Sequence, residues 1–216
     1  MRNDDKSFGE CTDRAPPIRF GRFLMRSLDI SHPSAANPEG PPVKVERFVF
    51  DRGDSVAILL LDVATREVIL VRQFRPGPAA RNVPAGTLRA DDGADDPRII
   101  ETVAGTMDVR GEDPIDVAKR EVAEEAPGCE IIDVVPIASY YPSPGGSTEK
   151  IHLLIARVDS SAAAERGGLA EHGEDIVVER IPVERAFAEV DAGRITSSTA
   201  LIALLFLRTR INEFLS

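Results

Sequence analysis

Cysteine is nearly absent from this chain: Cys11 and Cys129 are the two copies in 216 residues. Their spacing frames neither a disulfide set nor a zinc site, which excludes a disulfide-stapled scaffold and points to a reducing compartment. Clusters of Lys and Arg are lacking too. With a formal charge of −10 and a pI near 4.9, a nucleic-acid partner is not expected, because binding to a phosphate backbone depends on grouped cations that release counterions. No apolar run approaches the roughly 20 residues that span a bilayer. The stretch Met1 to Glu10 is polar and charged where a signal core would be apolar. These absences lead us to expect a cytoplasmic protein without membrane or nucleic-acid contacts.

What is present is 43% hydrophobic residues, enough for one sizeable core but not for two large domains. Residues 1–42 hold Pro16-Pro17, Pro33, Pro38 and Pro41-Pro42 between short apolar pieces. That composition predicts an N-terminal arm, extended and partly flexible, with little core of its own. The main domain is expected over 43–216. Its first strands are Phe48–Phe50, Val56–Leu61 and Val68–Val71, separated by the turns Arg52-Gly53-Asp54 and Asp62 to Glu67. Residues 76–97, with Asp91-Asp92-Gly93-Ala94-Asp95-Asp96-Pro97, predict a long surface loop or short hairpin. Further strands are predicted over 98–103, 130–139, 151–158 and 176–181. Helices are predicted over 113–126, 182–190 and 199–214, with Ser197 or Ser198 as a cap for the last. Three helices among many strands make the fold class α+β.

The helix over 113–126 is the most informative segment. Asp113 suits the N-cap and Pro114 the first helical position, where a missing N–H costs nothing. Pro127 drives Ala126 out of helical geometry, and Gly128 takes the turn. At about 100° per residue, Ile115, Ala118, Val122 and Ala126 form an apolar stripe, with Glu121 and Glu125 one turn apart along its edge and Glu124 further round. Like charges at this spacing repel by a few tenths of a kcal/mol, roughly, so the helix gains nothing from them by itself. A solvated acidic face is one reading. The other is a set of oxygen ligands for a hard cation such as Mg²⁺, which is typically held by one or two carboxylates, waters and substrate phosphates.

Gly105, Glu112, Arg120, Glu121, Val122, Glu124 and Glu125 together resemble the Nudix box, Gly-x5-Glu-x7-Arg-Glu-apolar-x-Glu-Glu-x-Gly-apolar. Two departures stand at its edges: six residues separate Gly105 from Glu112, and Pro127 occupies the place of the closing Gly, with Gly128 one step late. The resemblance extends over roughly 45–210. It is nearest to the ADP-ribose pyrophosphatase and nucleoside diphosphate sugar hydrolase branch, through Val71 to Pro76, Tyr141 to Lys150, Gly168 to Ile176 and Gly193 to Ile195. Pro144, sixteen residues past Gly128, stands where that branch usually has a proline.

This resemblance implies a Nudix fold, mixed β-sheets packed between helices as an α/β/α sandwich with an N-terminal β extension. It also implies Mg²⁺, with Mn²⁺ as a substitute, held by the Ala104 carbonyl, Glu121 and Glu125, while Glu124 adds a ligand or a hydrogen bond to metal-bound water. Glu112 and Arg120 would brace the loop and helix. Arg75 is the candidate for the substrate diphosphate, since a planar donor fork suits phosphate oxygens. Arg72 and Lys150 are secondary candidates, and Pro144 and Gly145 would form a tight loop beside the substrate. For the general base the family pattern leaves two residues, Glu174 and His172, the latter standing where another glutamate is common.

Members of the branch are commonly homodimers whose N-terminal strands cross to the partner. The stretch Phe20 to Phe50 suits that role, and residues 43–60 are candidates to contribute. Cleavage of a nucleoside diphosphate sugar is therefore expected, ADP-ribose first and GDP-mannose or UDP-glucose next. The alternatives are a Nudix-fold module that binds a nucleotide without turnover, and a hydrolase of nucleoside triphosphates or oxidised nucleotides.

Overall fold

The computed structural model describes residues 9–80, 97–109 and 111–215. The middle of the expected acidic loop, with Asp91, Asp92, Asp95 and Asp96, lies outside the described residues, as does nearly all of Met1 to Glu10. The chain divides into two compact units. Residues up to Asp54 join Tyr141–Lys150 in the first, and Ser55–Tyr140 with Ile151–Ser216 make the second.

In the first unit β1 (Glu10–Asp13), β2 (Ile18–Phe20), β3 (Phe23–His32) and β4 (Val43–Asp51) form an antiparallel sheet. The ten-residue β3 is its spine: β1 and β2 pair with successive halves of it, and β4 pairs along its other side from Leu24↔Asp51 to His32↔Val43. The segment predicted as an extended arm thus finds backbone partners in its own neighbours. Little apolar surface is covered, since Ile18, Phe20 and Phe48 are 59%, 61% and 73% exposed. The turn Pro142–Ser147 is tied to the end of β4, with the Phe50 N–H donating to the Gly146 carbonyl at 2.8 Å and the Thr148 N–H to the Phe50 carbonyl at 3.1 Å.

The second unit is built on an eight-stranded mixed sheet. Its strands are β5 (Ser55–Asp62), β6 (Glu67–Phe74), β7 (Arg98–Glu101), β8 (Val103–Thr106), β9 (Glu130–Tyr140), β10 (Ile151–Asp159), β11 (Arg166–Gly167) and β12 (Ile176–Pro182). The order is β11-β12-β6-β5-β10-β9, with β7 on β6 and β8 on β5. Every residue of β5 is buried, and β5 runs parallel to β10. An unbroken apolar run is what a strand covered on both faces requires.

Strand alternation sorts the core. Ala57, Leu59 and Leu61, with Leu153 and Ile155, pack with Val183 and Ala186 of α3 (Val183–Asp191) and with Ala203, Leu204 and Leu207 of α4 (Ser198–Phe214). Val56, Ile58 and Leu60, with Ile69 and Val71, pack on the other face against Val117, Ala118 and Val122 of α2 (Pro114–Glu125). A short α1 (Pro76–Ala80) follows β6. Among the described residues no helix is long and apolar enough to cross a membrane.

One expected strand is two. Residues 98–106 change partner at Thr102: β7 pairs with β6 up to Glu101, and β8 pairs with β5 from Val103. Thr102 is fully buried, and its hydroxyl donates to Thr199 Oγ1 at 2.8 Å, which satisfies the polar group where the ladder breaks.

Candidate active site

Helix α2 begins as the sequence dictates, with the Asp113 carboxylate accepting from the Ile115 N–H at 2.8 Å and Pro114 in the first turn. Its buried face is wider than the four-residue stripe predicted. Val117 is covered as well as Ala118, Val122 and Ala126, and Glu125 is itself only 5% exposed. Glu125 therefore lies under the helix, not along its rim. One carboxylate oxygen accepts the Ala104 N–H at 3.1 Å and the other faces Gln73 Nε2 at 3.5 Å.

Glu121 lies over Gly105. A Cβ added at that glycine would stand 2.0 Å from the Glu121 carboxyl carbon, so this close approach requires glycine. Arg120 Nη2 donates to Glu121 at 3.1 Å and faces the Thr106 carbonyl at 3.4 Å, while its Nη1 faces Glu112 at 3.4 Å. Glu112 also accepts the Val109 N–H at 3.2 Å. The guanidinium thus ties the loop before α2 to the helix.

Electrostatics singles out the same pair. Burial pushes the Glu125 carboxyl up to about 7, with the neighbouring Glu121 charge adding to the rise and the Ala104 N–H, Arg75 and Gln73 opposing it. Glu121 is raised as well, first by burial, with Arg120 opposing and the charges of Glu124 and Glu174 adding. Two adjacent carboxylates that the fold makes reluctant to ionise are the condition a divalent cation relieves. Among the described residues no three acidic or imidazole side chains converge as a ready-made ligand cage. Mg²⁺ needs only one or two carboxylates beside carbonyl, water and phosphate oxygens, so Glu121, Glu125 and the Ala104 carbonyl fit that ion's chemistry.

A pH dependence follows. The carboxyl of Glu125 is near 4.5 when unperturbed and about 7 when folded, so the folded state holds the extra proton between those values. Stability is then fullest below pH 4.5 and is lost as pH rises through about 7, by roughly 3 kcal/mol at most from this group. Melting of metal-free protein at pH 5 and pH 8 checks this: the wild type is expected to melt lower at pH 8, and Glu125→Gln to show a smaller difference.

The remaining candidates separate by strand phase. Gln73 and Arg75 continue the face of Ile69 and Val71, towards α2, and Arg75 pairs through Nε with Glu101. Arg72 is one residue out of phase. It lies on the α3 and α4 face and is paired with Glu179, with Nη1 facing the Arg98 carbonyl at 3.4 Å, which separates it from the acids of α2. Glu174 is half-buried, its carboxylate accepting the Leu169 N–H at 2.9 Å, and it is near enough to raise Glu121. His172 ends an exposed 3-10 turn, Ala170–His172. Glu124 is half-buried and its charge also acts on Glu121. Pro144 and Gly145 are exposed in the turn of the first unit, and Lys150 donates its backbone N–H to Asp54 at 3.3 Å.

Sequence reasoning passed over Gln73, Glu101, Gly105 as a contact, and Gly167. The loop after β10 is bound to the end of α2: Gly168 donates to the Glu124 carbonyl at 2.8 Å, and a Cβ on Gly167 would stand 2.1 Å from the Glu125 carbonyl oxygen. The period-two pattern Ile69, Val71, Gln73, Arg75 was a signal for the first of these, since two polar residues there prolong an apolar face.

The chain resembles known proteins in sequence and in fold. The family model for the NUDIX domain matches residues 51–196. An ADP-ribose pyrophosphatase of Escherichia coli (strain K12) is 34% identical over 165 residues, which are 76% of this chain and 72% of that protein. A GDP-mannose pyrophosphatase of Enterobacter sp. (strain 638) is 35% identical over 186 residues, 86% of this chain and 88% of that one. A crystal structure of an ADP compounds hydrolase superposes with a TM-score of 0.64 at 18% identity, covering 97% of this chain and 98% of the other. That likeness speaks for the α+β fold alone. The matched domain contains the whole of the acidic helix and both strands that flank it, and the chain belongs to the Nudix hydrolase family.

Proposed function

We propose that this protein is a Mg²⁺-dependent pyrophosphohydrolase of nucleoside diphosphate sugars, with ADP-ribose as first substrate, converted to AMP and ribose 5-phosphate. Its relatives' names support that substrate class. The observation that carries the reading is the pair Glu121 and Glu125, pressed against β8 with Glu125 buried and pushed up to about 7. Bound Mg²⁺ would supply neutralisation of the diphosphate and a lowered pKa for the attacking water; Mn²⁺ would substitute.

The chain's own groups divide the rest of the work. Glu121, Glu125 and the Ala104 carbonyl hold the ion, and Glu124 adds a ligand or orients water. Arg120 and Glu112 keep the loop on the helix through the contacts at Glu121 and Thr106. Arg75 grips the diphosphate with its planar fork. Glu174 takes the proton of the attacking water as one P–O bond of the bridge breaks. His172 is the second candidate for that proton, and Glu174→Gln measured beside His172→Ala at saturating Mg²⁺ decides between them: near-wild-type turnover in both would place the base elsewhere.

GDP-mannose is the second substrate reading, favoured by the 35% identical relative, and UDP-glucose follows. A panel of ADP-ribose, GDP-mannose, UDP-glucose and nucleoside triphosphates with phosphatase-coupled detection tests the assignment. Turnover of ADP-ribose above the others supports it; binding without any product would make the chain a nucleotide-binding module instead. The setting is cytoplasmic, a reading supported by the free thiols Cys11 and Cys129, and the assembly is a homodimer, supported by the exposed Ile18, Phe20 and Phe48 of the first unit. Light scattering at micromolar concentration is expected to give twice the chain mass, and a monomer mass would remove the dimer.

A further inference from the structure

We infer that Glu101 is a positioning residue: it holds the Arg75 guanidinium on the α2 face of the sheet, beside the acids, in the place where it meets a substrate diphosphate. This rests on the substrate class proposed above. Glu101 lies opposite Val71 in the β6–β7 ladder, so its side chain shares the face of Val71, Gln73 and Arg75. Arg75 stands further along, where its own N–H donates to the Pro97 carbonyl at 2.7 Å. To reach Glu101, four positions beyond Pro97, the arginine side chain turns back along β7 instead of extending past the end of β6.

That path brings it to α2. The Arg75 charge acts on the Glu125 carboxylate, and Glu101 is itself a largely covered acid, its side chain 14% exposed against 38% for Arg75. A covered carboxylate is stable only with a partner, and among the described residues Arg75 is the cation that pairs with it. The pairing is through Nε, the stem-side donor. A bidentate grip on phosphate can use the terminal nitrogens of the same planar group. One side of the fork is thus fixed by the protein, which removes most of the rotamer freedom the side chain would otherwise lose on binding.

The test is a double-mutant cycle read by calorimetric Kd for α,β-methylene ADP-ribose and by KM for ADP-ribose, both with Mg²⁺. Glu101→Gln is expected to raise Kd and KM about tenfold, the scale of one lost charge-assisted contact. In an Arg75→Ala background the same change is expected to do nearly nothing, because a residue acting through Arg75 has no further effect once Arg75 is gone. Glu101→Asp, which keeps the charge, is expected to recover part of the loss, and it stands in should the glutamine variant melt early. Unchanged Kd in Glu101→Gln, a lower Kd, or an equal loss with and without Arg75 would each overturn the inference. Wild-type turnover of ADP-ribose is read in the same series, so a failed substrate assignment is seen separately from a failed role for Glu101.

Discussion

Glu125→Gln is expected to abolish most turnover while making the metal-free protein more stable at pH 8. The two effects have one cause. In the wild type the carboxylate is buried between the Ala104 N–H and Gln73 with the Glu121 charge nearby, and its ionised form is disfavoured. The amide is nearly the same size, keeps an oxygen for the Ala104 N–H and carries no charge to desolvate. Removing the ionisation penalty is worth up to roughly 3 kcal/mol at pH 8. The same change deletes an anionic ligand from the proposed cation site, and kcat is expected to fall about 10³-fold, as when a main electrostatic stabiliser is lost. Denaturant unfolding with and without Mg²⁺, beside kcat, measures both. A variant that stays active, or one that is less stable than wild type at pH 8 without metal, would contradict the burial argument.

Gly105→Ala is expected to cost activity with little cost in stability. The new methyl group would meet the Glu121 carboxylate at 2.0 to 2.5 Å, which is the far end of a flexible side chain and not backbone. The carboxylate swings aside and the strand stays. Gly105 is paired with Val56 in the β5–β8 ladder, and its φ is not among the positive values that burden a side chain. Displacing one proposed ligand by an ångström or more is expected to lower kcat about 10²-fold, while unfolding free energy changes by less than about 1 kcal/mol. Circular dichroism melting beside kcat at several Mg²⁺ concentrations checks it. If the loss were purely one of cation affinity, excess Mg²⁺ would restore most of the rate.

Much of the candidate site was legible because helix periodicity is a local property. Asp113, Pro114, Pro127 and Gly128 mark both ends of α2, and the observed span of Pro114–Glu125 lies within the expected 113–126. The box spacing from Glu112 to Glu125 then fixes which acids share a turn. Local pattern says nothing about how far the helix sinks into the sheet. That depth goes with the small buried residues Ala118 and Ala126 and with Gly167, where a Cβ would meet the Glu125 backbone, and it is what buries Glu125. Arg72 and Arg75 read alike as basic residues near one strand, yet three positions along a period-two element put them on opposite faces. The break at Thr102 was invisible for a related reason: residues 98–103 look like one strand, and only the partners available on either side, β6 and then β5, divide them.

By itself the sequence determined the family, the α+β class, the acidic helix with its caps and the acids on it, since all of these rest on residue type and on spacing within one element. Tertiary structure decided which acid is covered, which arginine faces it and which carboxylate holds that arginine. Those outcomes depend on distances between strands and helices remote in sequence. The electrostatic cost of a charge is set by what surrounds it in space, and that environment is assembled only when β6, β7, β8 and α2 come together.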